Sequence, residues 1–252
     1  MYGTDDVVTY QNYCAQKLII QAEVSGITSS ADVTNNLINQ GNITIESVPR
    51  VYSFGISSAV SSFTNIVNKG DISVSDTFAF EVAGITRYPK NLNHILNSGN
   101  IEVKGKTHSN GYIGGIGARQ SSSDYMNIDN TFNTGNIDIS ELESVSGAVT
   151  TAHTLTVGGI VGSIPAKVHN VVIENSANYG DLICYNTTPK DWRTNLYLGG
   201  IAGYWIENSP GTTAASTRRI SNCINDGNIR MNVVGSGYVG AHNVGGIVRL
   251  YL

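Results

Sequence analysis

The sequence predicts an all-β chain wound as a right-handed parallel β-helix of about six to seven coils, with loop insertions in its C-terminal half. Three observations predict it. A phrase Asn-x-Gly-Asn/Asp-Ile/Leu recurs six times, beginning at Asn39, Asn68, Asn97, Asn133, Asn178 and Asn225. A second phrase built on Gly-Ile alternates with it, at Gly26, Gly55, Gly84, Gly115, Gly159, Gly200 and Gly246. The 252 residues include 28 Gly, 27 Asn and 27 Ile but only 13% charged residues, about half the usual charged share.

The period is short and regular at first, then lengthens. The glycines Gly41, Gly70, Gly99, Gly135, Gly180 and Gly227 are spaced by 29, 29, 36, 45 and 47 residues. From Gly26, Gly55 and Gly84 to the next repeat asparagine the distance is 13 residues each time. A unit of 29 residues cannot enclose a core alone, so successive units must stack, about 4.8 Å apart, with equivalent residues in columns. A leucine-rich repeat would need a leucine signature that is absent, and a propeller blade needs about 40 residues.

Each unit supplies three short strands. The first is the Gly-Ile phrase. The second runs through segments such as Phe63-Thr64-Asn65-Ile66-Val67, where another asparagine (Asn36, Asn65, Asn130, Asn175, Asn222, with His94 the exception) precedes the repeat asparagine by three residues. The third follows the repeat glycine, where Ile43/Ile45, Ile72/Val74, Ile101/Val103, Ile137/Ile139, Leu182/Cys184 and Ile229/Met231 alternate as one buried strand face requires. Parallel crossovers are almost always right-handed, which sets the expected hand. Glycine is expected to turn the corners at positive φ, and asparagine to form amide ladders from coil to coil. The columns place Cys184 inside, and Cys223 in another column with Leu37, Ile66 and Ile95, so a disulfide between them is not expected. Cys14 reads as a small apolar residue like the other two.

Composition excludes several classes of function. Fifteen Lys+Arg against nineteen Asp+Glu give a net charge of −4, which argues against a nucleic-acid partner. No apolar run approaches the length of a membrane span. No His-Glu-x-x-His and no Cys/His zinc spacing occurs, and the Gly-rich phrases lack the Lys-Ser/Thr of a phosphate loop, so neither metal nor cofactor is expected. Asp71 and Asp181 share one column with Asn42, Asn100, Asn136 and Asn228 but lie three coils apart, roughly 14 Å. Both glycosidase geometries need less than about 10 Å, so the pair reads as corner residues interchangeable with asparagine.

The insertions carry the candidate binding residues. Between Gly180 and Gly200 lie Trp192, Arg193 and Tyr197, and just beyond lie Tyr204 and Trp205. Both tryptophans of the chain fall here. Aromatic faces beside Asp, Asn and Arg suit a sugar or peptide groove, so Trp192, Arg193, Tyr197, Tyr204 and Trp205 are the expected ligand-binding set. The competing expectation is that the two tryptophans simply cover the flank of the helix.

The phrases Gly158-Gly159-Ile160-Val161-Gly162, then Ile173-Glu174-Asn175-Ser176-Ala177-Asn178-Tyr179-Gly180-Asp181, and Ile220-Ser221-Asn222-Cys223-Ile224-Asn225-Asp226-Gly227 resemble the GLUG-type repeats of adhesin-like bacterial surface proteins. The resemblance covers about residues 26 to 248, with Ile where that family usually has Leu. It implies an extracellular or cell-surface β-helix with no catalytic residues, whose partners are a glycan or a host or cell-surface protein. Met1-Tyr2-Gly3 resembles Asn178-Tyr179-Gly180, so residues 1–252 are expected to form one β-helix domain within a longer surface protein. The expected function is a non-enzymatic adhesin or stalk that presents loops. The alternative is a β-helix polysaccharide lyase or glycoside hydrolase using Asp191, Glu207, Arg193 or Arg218.

Overall fold

The computed structural model describes residues 21–107, 109–120, 125–144, 153–166, 168, 170–189, 194–206, 217–233 and 242–251. These residues form a parallel β-helix, with β-strands, bends and turns but no helix. Every strand pair runs parallel, and equivalent residues of successive repeats are partners, such as Ile43 with Ile72 and Ile72 with Ile101. A first sheet, A, stacks Gln21–Ser25, Arg50–Phe54, Ala79–Ala83, Gly111–Gly114, His153–Gly158, Thr194–Gly199 and His242–Gly245. A second, B, stacks Thr28–Asn39, Ser57–Asn68, Asn91–Asn97, Tyr125–Asn133, Asn170–Glu174 and Arg218–Ser221. In the later coils a separate sheet, B′, precedes it, from Gly117–Arg119, Val161–Ile164, Ala202–Ile206 and Val248–Tyr251. The third, C, follows the repeat glycine, as in Ile43–Glu46, Ile72–Ser75 and Ile101–Thr107.

The interior has two apolar lobes. One gathers the inward residues of sheets A and C, including Val51, Val82, Ile113, Ile45, Val74, Val103 and Cys184. The other gathers those of sheets B and B′, including Phe63, Leu92, Ile128, Ile173, Ile56, Ile85 and Ile160, with Cys223 packed against it. The two cysteines therefore belong to different lobes, and burial pushes both thiols above their usual pKa.

Between the lobes stands a wall of amides. Asn39, Asn68, Asn97, Asn133, Asn178 and Asn225 form one ladder, each Nδ2 donating to the next coil's Oδ1 at 2.7–2.8 Å. The second Nδ2 hydrogen goes to the carbonyl of the repeat glycine two residues on, at 2.8–3.0 Å. Asn68, Asn97, Asn133 and Asn178 are fully buried, which is tolerable because each amide is satisfied. Opposite the ladder lies the Gly-Ile glycine column. A Cβ at Gly84 would stand 2.3 Å from the Asn97 Cγ and 2.3 Å from the Gly115 carbonyl oxygen. The gap between them is 13 residues in the first three coils and 18, 19 and 25 in the next three, yet one glycine stands against one amide in each coil.

This corrects the expected role of glycine. None of the repeat glycines adopts positive φ; among the described glycines only Gly105 does. The left-handed corner is made by Asn36, Asn65, His94, Asn130, Asn175 and Asn222, at φ of 48–56°, a region asparagine tolerates better than most residues. Glycine is needed instead because the coils approach too closely for any side chain. A Cβ at Gly99 would lie 2.0 Å from the Gly70 carbonyl oxygen.

Candidate functional site

Sheet A's other face carries a column in which Glu23 is exposed, Tyr52 and Tyr112 are half-buried, and Glu81, Thr156 and Tyr197 are buried. The column runs Glu23, Tyr52, Glu81, Tyr112, Thr156, Tyr197, Asn243 in strict register. After sheet A the chain turns so sharply that backbone packs on backbone. A Cβ at Gly158 would sit 1.9 Å from the Val161 oxygen and 2.8 Å from the Gly203 nitrogen. Phe54, Ala83 and Ala118 fill the same corner in other coils, with Tyr52 and Tyr112 packed against them.

Along this corner the side chains form one charged and aromatic line. The Glu81 carboxylate is 6% exposed and takes two guanidiniums. Arg87 donates through Nε (2.8 Å) and Nη2 (2.9 Å), and Arg119 through Nη2 at 3.0 Å. Burial opposes the charge on both arginines, but Glu81 outweighs it and holds both above the usual arginine range. The Arg87 guanidinium lies 3.7 Å from the Tyr52 ring centre and 4.7 Å from that of Tyr88; Arg119 lies 4.8 Å from Tyr112. Two cations on one carboxylate leave a net positive charge among three aromatic rings, a setting for cation–π contacts. Two coils beyond Tyr112, Tyr197 and Tyr204 meet with ring centres 4.5 Å apart and planes tilted by 42°.

Of the expected binding residues, the structure brings Tyr197 and Tyr204 together. Trp192 and Arg193 lie outside the described residues, as do Asp191 and Glu207; Trp192 and Arg193 immediately precede the strand that carries Tyr197. Trp205 is a correction. It is 4% exposed and packs into the lobe of sheets B and B′ beside Ile164 and Ile201, so its indole fills the core and offers no surface. The Arg218 guanidinium covers it at 4.9 Å and donates to the Pro165 and Val168 carbonyls, holding a turn. Glu81, Arg87, Arg119, Tyr52 and Tyr112 were not expected from the sequence. The signal existed: aligning Gly55, Gly84 and Gly115 places Tyr52, Glu81 and Tyr112 in one column.

The corner aspartates take the expected role. Asp71 Oδ1 accepts from the Asn100 backbone N–H at 2.7 Å, and Asp181 Oδ1 from that of Asn228 at 2.8 Å. Asn42, Asn100 and Asn136 do the same for the coils above them. Among the described residues no group of three His, Cys, Asp or Glu side chains is arranged to hold a metal ion, and no helix is long and apolar enough to cross a membrane. In comparisons with known proteins, no family model matches the chain, and no curated protein or solved structure matches it.

Proposed function

We propose that the chain is a non-enzymatic extracellular repeat module, an adhesin or stalk, that presents the outer corner of sheet A and its adjoining insertion to a glycan or a surface protein. The observation that carries this reading is the Tyr197–Tyr204 pair, with ring centres 4.5 Å apart, in which Tyr204 is half-buried and Tyr197 lies beneath it at 6% exposure, next in sequence to the segment holding Trp192 and Arg193. Aromatic rings with a polar tip pack against sugar rings or peptide side chains while keeping hydrogen-bonding capacity. The Arg87–Glu81–Arg119 cluster lies along the same line and supplies guanidinium donors. The likeness to GLUG-type repeats supports a surface location. A stack in which each coil is tied to its neighbours by strand pairing and amide ladders is stiff, as a stalk must be.

The test is binding of the labelled full chain to a glycan array and to whole cells, alongside assays for reducing ends and unsaturated uronides. The expected result is saturable binding without turnover, reduced at least tenfold by Tyr197→Ala with Tyr204→Ala. Turnover, or binding unchanged in the double variant, overturns the reading.

A further inference from the structure

The residue just before each buried ladder asparagine is apolar in all six copies: Ile38, Val67, Leu96, Phe132, Ala177 and Ile224. Strand pairing sets all six in one column on sheet B. Their chain neighbours Leu37, Ile66 and Ile95 face the interior lobe, so this column faces outward. None of the six belongs to an interior cluster. The end members, Ile38 and Ile224, are each 57% exposed. Val67, Leu96 and Phe132 are half-buried, and Ala177 is buried at 3% exposure. Another outward column of the same sheet reads Asn35, Thr64, Asn93, Asp129, Glu174, Ser221. An apolar stripe on an otherwise polar face marks an interaction surface.

We propose that this stripe joins two copies of the chain side by side, antiparallel, about a two-fold axis. Three features select a second copy. The stripe repeats at the coil spacing of about 4.8 Å, a period that another stacked-strand array matches along its whole length. On one side it is flanked by Asn36, Asn65, His94, Asn130, Asn175 and Asn222, whose amides bond to one another and to Asp129 within the chain and carry further donor and acceptor capacity for the same amides of another copy. On the other side the column reads Gln40, Lys69, Ser98, Thr134, Tyr179, Asp226, with one cation and one anion.

Those charges fix the register. Lys69 belongs to the second coil and Asp226 to the sixth. An antiparallel match of second coil to sixth sets each Lys69 against the other copy's Asp226. The same match puts Phe132 against Phe132 on the axis, Val67 against Ile224, and Leu96 over the dip left by the small, buried Ala177. The contact is isologous, so it closes at two copies. Four coil spacings of overlap, about 19 Å, by roughly 20 Å of width give on the order of 400 Å² per copy. That is small for a specific interface, so the dimer is weak and concentration-dependent.

Sedimentation velocity on the full chain, from about 1 to 300 µM, tests this without any ligand. The expected result is a weight-average mass rising toward twice that of the monomer. Phe132→Glu, which sets like charges face to face on the axis, abolishes the rise while circular dichroism stays unchanged. Lys69→Asp weakens association severalfold, and Lys69→Asp combined with Asp226→Lys restores it. A monomer at every concentration, a dimer insensitive to Phe132→Glu, or a charge swap that fails to restore association overturns the proposal.

Discussion

The buried asparagine column and the corner column three residues later look alike in sequence, yet they differ in what they tolerate. The inner column, Asn39 to Asn225, is asparagine in every copy. The corner column, Asn42 to Asn228, is aspartate twice, at Asp71 and Asp181. The reason lies in which atoms are used. Each inner amide donates both Nδ2 hydrogens, and its Oδ1 accepts from the coil before, so only a group with donors and acceptor together fits. In the corner column each side-chain oxygen accepts a backbone N–H of the next coil, which a carboxylate does equally well, and Asn228 also donates its Nδ2 to Asp181 Oδ1. The left-handed column tolerates a third kind of change, since His94 at φ 55° meets its backbone demand in place of asparagine. Repetition alone does not mark a residue as indispensable; two-sided hydrogen bonding in a buried place does.

The largest effect is expected where that demand is strictest. Asn97→Leu keeps the volume but leaves a hydrogen of Asn68, the Oδ1 of Asn133 and the carbonyl of Gly99 without partners. At about 1–3 kcal/mol for each of the three orphaned buried groups, unfolding in urea should show a loss of roughly 3–9 kcal/mol. Next comes Gly99→Ala. Its new methyl would meet the Gly70 carbonyl oxygen at 2.0 Å, so the coils must part locally. The expected cost is about 1–3 kcal/mol or more, read as a fall in melting temperature with the parallel-sheet signature kept.

The smallest effect belongs to the corner. Backbone and side-chain donors of Asn228, with Arg230 nearby, hold the Asp181 carboxyl below its usual pKa despite some burial. Its folded pKa lies below the unfolded one. The resulting stabilisation is therefore complete above the unfolded carboxylate pKa, about 3.9, and is lost as pH falls through the folded value. Asp181→Asn should leave neutral-pH stability within about 0.5 kcal/mol and flatten that acid limb of the stability profile. A neutral-pH loss of several kcal/mol would break the contrast between the two columns.

Much of the fold was legible because a stacked fold writes its columns into the sequence as recurring phrases, even where the period lengthens from 29 to 47 residues. The apolar alternation after each glycine, the inner amide ladder and the separate cysteine columns all appear where spacing places them. The role of glycine was not legible. A sequence shows that a side chain is missing but not whether φ or a neighbouring coil forbids it, and here the neighbour does. Trp205 was misjudged for a related reason. It lies where the pairing register shifts between Ala202 and Trp205, so counting residues from the glycine does not tell inside from outside. Tyr197 and Tyr204 belong to different strands and meet only because the Gly199–Gly203 corner folds back on itself. The outward apolar column was in plain view, one residue before each ladder asparagine, but its direction emerges only once the strands are paired.

One substitution made at two sites of a single turn tests the central claim most directly. Asn133→Asp and Asn136→Asp change the same atoms three residues apart, one in the buried ladder and one in the corner column. Equilibrium urea unfolding at pH 7 should show Asn133→Asp losing about 3–5 kcal/mol, because it leaves a buried unpaired charge. Asn136→Asp should stay within about 0.5 kcal/mol of the parent chain. Equal losses at the two sites, or a larger loss at Asn136, would contradict the view that the buried amide column holds the coils together.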